Sequence, residues 1–217
     1  MKKHAIPFLL AAICATLLSA CASGRIRSIH TVMVDPKVAR PKAMGYTNQA
    51  SANVDMFASP TMGLLPALVL TGVHHGVISK PRKEMEAAVA SRSIAIETIV
   101  PPAFSDELAR SGLFTVVPSG AADATFNLKI LQYGLNHMGD AWTSSLLAPT
   151  VMLEARLVGS DGKNIETLKV FGAPPAADWH VHEQYRDNPE LLRAGWEQAA
   201  RSAARVAITQ LRKEMPH

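Results

Sequence analysis

Cysteine is scarce in this chain: two among 217 residues, Cys14 and Cys21. That scarcity excludes a framework of several disulfides and a zinc site built on four thiolates. Aromatic residues make up only 6% of the chain and charged residues 18%, and no basic stripe is interleaved with aromatics. A nucleic acid partner, which needs cations to follow phosphates and rings to stack on bases, is therefore not expected. The GxSxG, HExxH, Walker and dinucleotide-binding patterns are absent too, so no enzymatic chemistry is called for. The longest gap is in charge. From Met56 to Ser79 there is no Lys, Arg, Asp or Glu.

What is present is most specific at the N-terminus. Lys2 and Lys3 precede the apolar run "IPFLLAAICATLL", which closes on Leu18-Ser19-Ala20-Cys21. A basic start, an apolar centre and small residues before the cut form a secretory leader. This pattern resembles the lipobox of bacterial lipoproteins, in which a diacylglycerol on the thiol precedes cleavage between Ala20 and Cys21. Residues 1–20 are then a signal peptide and 21–28 a lipidated Cys with a short tether. Residues 29–217 form a single periplasmic domain with an apolar insertion at about 56–79. Cleavage removes Cys14 and the two lysines, leaving 20 basic against 18 acidic residues, a formal charge of +2 instead of +4. The only remaining cysteine carries lipid, palmitate among its acyl chains, so thiolate catalysis and a disulfide are excluded together. Several acyl chains on one residue attach a protein stably, at about 0.8 kcal/mol per buried methylene. Ala22 follows the Cys where enteric lipoproteins retained in the inner membrane carry Asp. The resemblance thus implies the periplasmic face of the outer membrane.

Along the remaining chain, "IHTVMVDP" alternates as a strand that Pro36 ends. The polar stretch from Lys37 to Asp55 has no firm period and is expected to be loop. "PRKEMEAAVASRSIAIETIV" has helical spacing, with Pro101-Pro102 expected to break it. "AFSDELARSG" then reads as a second helix starting at Ser105-Asp106-Glu107 and capped by Gly112. "LFTVVP" is a short strand, and "AADATFNLKILQYG" alternates Phe126, Leu128 and Ile130 with Asn127, Lys129 and Leu131. "TVMLEARLVGSDGKNIETLKVFG" is a hairpin with Asp161-Gly162 at its turn. The last helix places Leu192, Trp196, Ala199, Ala203, Val206 and Leu211 on one stripe, with Glu197 and Arg201 paired four apart. Its alanines predict close packing of helix on sheet. The fold class expected is α+β, a mixed β-sheet with helices on one face.

The order "FSDELARSGLFTVVP", "AADATFNLKILQYG", "TVMLEARLVGSDGKNIETL" resembles a periplasmic domain shared by several bacterial envelope proteins. These are the TolB N-terminal domain, curli-secretion lipoproteins, penicillin-binding-protein activators and ABC-transport auxiliary lipoproteins. The "DGK" turn is followed by Glu166-Thr167, where such proteins often have Trp. The resemblance implies a non-enzymatic accessory or assembly factor of a cell-envelope machine. Its partners would be the bilayer, reached through acylated Cys21, and another envelope protein or further copies of itself. The alternative it implies is an oligomeric secretion or export subunit of the curli type; a metal-binding or enzymatic envelope protein comes third.

Two stretches remain. His180-Val181-His182-Glu183 is the one cluster with metal-ligand composition, and on a strand both imidazoles would share a face. A zinc site would need a third ligand, for which His137 is the candidate; no cofactor beyond the covalent lipid is expected. The apolar core of the uncharged stretch, Met62 to Val73, is too short for a transmembrane helix, which needs about 20 apolar residues. Leu64, Leu65, Leu68, Val69 and Leu70 are its candidate contact residues. They suit a buried core segment, shallow membrane insertion or a partner contact. They do not alternate as a barrel strand would.

Overall fold

The computed structural model describes residues 26–47, 79–137 and 145–215. The expected Cys21 anchor and the insertion centred on Leu64–Leu70 lie outside these residues. Six strands form one mixed sheet: β1 (Thr31–Val34), β2 (Gly45–Thr47), β3 (Thr115–Val116), β4 (Ala124–His137), β5 (Leu147–Gly159) and β6 (Asn164–Gly172). Among the described residues the named α-helices are α1 (Ser79–Ser91), α2 (Ile96–Ser111), α3 (His182–Asp187) and α4 (Pro189–Glu214). The sheet order is β3-β1-β4-β5-β6, with β1 and β3 parallel and β4, β5 and β6 antiparallel. The architecture is α+β, with α2 and α4 on one sheet face.

The hairpin forms as its pattern dictates. Gly162 supplies the positive φ of 75° in the turn, a backbone region where a Cβ is penalised. Val151, Leu153, Ala155 and Leu157 are all buried on the face covered by α4. The alanines of α4 do allow a close approach. A Cβ added at Gly172 would lie 1.9 Å from the Ala199 carbonyl oxygen. Trp196 fills the end of this seam, edge-on to Tyr133 at 5.5 Å between centroids, with its indole N–H donating to the Gly134 carbonyl at 3.3 Å.

Helices α2 and α4 lie side by side and run the same way, as successive contacts show. Arg201 meets Asp106 at 3.1 Å, Arg205 meets Glu107 at 3.4 Å, and Arg212 donates to the Ser111 carbonyl at 2.8 Å. Glu197 and Arg201 pair at 2.9 Å, as their spacing predicts.

Several expectations are corrected. The break between the first two helices falls at residues 92–95, where Ser93 has φ 53°, and α2 runs straight through Pro101 and Pro102. The prolines remove two helical N–H donors. Burial of Val100, Pro101, Ala103, Phe104 and Leu108 offsets that loss. Ser105-Asp106-Glu107 is consequently mid-helix rather than a cap, and its carboxylates serve the arginines of α4. Val206 is 39% exposed; Ala207 and Ile208 take its place on the buried stripe. β2 occupies part of the expected loop. In β4 the alternation slips at Leu131, a bulge between Ile130 and Gln132, so Phe126, Leu128 and Ile130 share the core side with Tyr133 and Leu135.

β1 and β2 line the same side of β4 one after the other. Val32 registers with Ala124, and Tyr46 with Leu135. These partners are separated by about 35 Å of strand. One end of the sheet therefore holds the start of β1. The other holds Thr47, Tyr46 and the cap built by α1 and α3.

Candidate functional site

The cap end holds His182, one of the histidines that the sequence singles out. His182 opens α3 rather than sitting on a strand, which removes the premise that it and His180 project together. Its Nδ1 lies 3.0 Å from the Tyr46 hydroxyl on β2, and its Nε2 lies 3.4 Å from Glu84 Oε2 on α1. The tautomer protonated on Nε2 satisfies both: Tyr46 donates to Nδ1, and Nε2–H donates to Glu84. One imidazole thus links three elements. The α1 side is fixed further by the Met44 N–H, which donates to Glu86 Oε1 at 3.3 Å.

Burial, and behind it the negative charge of Glu183 and Glu84, pushes the Tyr46 phenol up to about 12. Tyr46 stays a neutral donor and is not a phenolate nucleophile at neutral pH. His180 lies elsewhere. Its backbone bridges Leu147, donating at 3.3 Å and accepting at 2.8 Å, and its ring meets Tyr185 edge-on at 5.4 Å. Tyr185 is fully buried and donates to the Leu147 carbonyl at 3.0 Å. His137 registers with Leu147 from the other side, and burial pushes its imidazole down. Leu147 thus separates His137 from His180. Among the described residues no group of three or more His, Cys, Asp or Glu side chains is placed to hold a metal ion.

The opposite end is pinned by Asp123. Its Oδ2 accepts from the N–H groups of His30 and Thr31, each at 2.8 Å. Its own N–H donates to the Thr31 carbonyl at 3.1 Å and to the Thr31 hydroxyl at 3.0 Å. The Thr31 and then the His30 N–H groups hold this carboxyl below its ordinary value. A shallow, open depression of about 520 Å³ beside it, lined in part by Leu113, Phe114 and Thr115, has His30 as its one titratable side chain.

Tyr46 and Glu84 carry no signal in the sequence. They lie 136 and 98 residues from His182; the register of β2 on β4 places Tyr46, and the packing of α1 against α3 places Glu84. Ala20, Cys21, Leu64, Leu65, Leu68, Val69 and Leu70 lie outside the described residues. Among the described residues no helix is long and apolar enough to cross a membrane.

No family model and no curated protein matches the chain. Solved structures with a similar outline include a Xanthomonas campestris protein of family model DUF330, 19% identical, covering 87% of this chain and 89% of that one, at a TM-score of 0.40. A hypothetical protein of Chlamydia trachomatis is 8% identical over 86% of this chain and 96% of its own, at 0.32. The lipoprotein GNA1162 of Neisseria meningitidis is 14% identical over 85% and 99%, at 0.29. All three scores fall below 0.5, and no role is carried over from them.

Proposed function

We propose that the chain is a lipoprotein held through acylated Cys21 on the periplasmic face of the outer membrane, where it acts as a non-enzymatic accessory of a cell-envelope machine. The observation that carries this reading is Leu18-Ser19-Ala20-Cys21, closing an apolar run that begins after two lysines. The fold is compatible with it. The described chain starts at the β1 end of the sheet, and the chain on either side of residues 48–78 is held at the cap end. A domain tethered at one end leaves its other end for a partner. The Tyr46–His182–Glu84 linkage fits a structural strut, since it holds three elements and offers no activated nucleophile.

The test is replacement of Cys21 by Ala. Release from the membrane or retention of the leader supports the anchor; normal processing with unchanged attachment refutes it. Light scattering of the detergent-extracted protein separates the accessory reading from the oligomeric one. A monomer or dimer supports the accessory role, and a discrete ring of many subunits supports the secretion subunit.

A further inference from the structure

The path from the expected anchor into the fold is short. Ile26 is fully buried in the same core as Leu108 and Phe114, and its carbonyl accepts from the Ile29 N–H at 3.2 Å. At most residues 22–25 therefore separate Cys21 from a side chain fixed in the core. Whatever their conformation, the steps from Cys21 to Ile26 span no more than about 18 Å.

The point of entry is tied to the sheet. His30 and Thr31 follow directly, and Asp123 Oδ2 accepts from both of their N–H groups at 2.8 Å. Thr31 registers with Thr115 on β3, and Val32 with Ala124 on β4. The same pole holds the β5–β6 turn, because the Ser160 N–H donates to the Asp123 carbonyl at 2.9 Å. The cap lies at the opposite pole. Tyr46 registers with Leu135, about 35 Å of strand from Ala124.

A bilayer admits no folded polar domain, so a body held by one end keeps only the orientations that point away from it. Across those orientations the held pole stays near the headgroups, and the far pole stands farther out. A tether longer than the body would relax this constraint. Here the tether is about half as long as the span between the poles.

We propose that the β1 pole, with His30, Leu113 and the turn at 160–163, abuts the phospholipid headgroups, and that the Tyr46–His182–Glu84 cap is the membrane-distal pole. The inference rests on the lipid-anchor reading and adds an orientation to it. The shallow depression lined in part by His30, Leu113 and Phe114 then lies on the lipid side.

The experiment uses the mature acylated protein in nanodiscs with an energy-transfer acceptor on a fraction of the headgroups. A donor dye is placed on Lys163→Cys, in the β5–β6 turn, or on Asp187→Cys, at the end of α3; both sites are exposed. Cys21, blocked as a thioether, does not take the dye. The pole separation of about 35 Å predicts at least about twofold more transfer from position 163 than from position 187. Inserting about twelve Gly and Ser residues between Ala22 and Ser23 should lower the transfer from position 163, because a flexible linker of that length adds about 20 Å of mean reach. Equal transfer from the two positions overturns the proposal, since the domain then lies on its side, and greater transfer from position 187 overturns it by placing the cap on the lipid. Transfer from position 163 that ignores the insertion also overturns it, because the tether would not be what sets the orientation. The acyl mass on Cys21, measured in the same sample, separates failure of the orientation from failure of the anchor.

Discussion

Between β4 and β6 the chain buries Leu153, Ala155 and Val170 against an alanine-lined helix, whereas β2, α1 and α3 meet through Tyr46, His182 and Glu84. The first region is held by area and close packing, which are redundant and cooperative. The second adds a few polar contacts between elements distant in sequence. The difference teaches where the molecule can loosen without unfolding: the cap can open locally, while the hairpin seam can fail only globally.

Substitutions that strike the two regions separately sharpen this contrast. The largest effect is expected from Trp196→Ala, which removes a fully buried ring packed on Tyr133 and should cost about 3–5 kcal/mol in denaturant unfolding. Gly172→Ala comes next. Its new Cβ would collide with the Ala199 backbone, at a cost of about 1–3 kcal/mol. His182→Ala strips Tyr46 and Glu84 of their shared partner and should cost about 1–2 kcal/mol. Its signature is locality: amide exchange should accelerate in α1 and β2 while α4 keeps its protection. Equal acceleration in α4 would erase the distinction between the regions.

The smallest effect is a pH dependence at Asp123. Its carboxyl is held below its ordinary value by the Thr31 and His30 N–H groups, so the carboxylate stabilises the fold above the unfolded value near 3.8. That contribution is lost as pH falls through the lower folded value. Thermal melts of Asp123→Asn should therefore be less sensitive to acid below about pH 4 than those of the parent. Parallel pH profiles would show that the carboxylate does not pin β1.

Much of the hairpin region was legible in the sequence. Alternation from Val151 to Leu157, the Asp161-Gly162 turn and the stripe of Leu192, Trp196 and Ala199 are local patterns with single physical readings. The misplaced helix break has a tertiary cause. Pro101 and Pro102 are poor helix residues, yet the burial of their neighbours keeps α2 continuous. The bulge at Leu131 was hidden because "KILQYG" remains apolar enough to continue either register. The cap was opaque for a different reason. Nothing near His182 announces Tyr46 or Glu84, and the six-residue helix that His182 opens undid the strand on which a shared face with His180 depended.

The most direct measurement is mass spectrometry of the N-terminal peptide of the mature protein. The lipoprotein reading predicts a peptide that starts at Cys21 and carries acyl mass on that residue. A peptide spanning Ala20 and Cys21, or one starting at Cys21 with a free thiol, would contradict it.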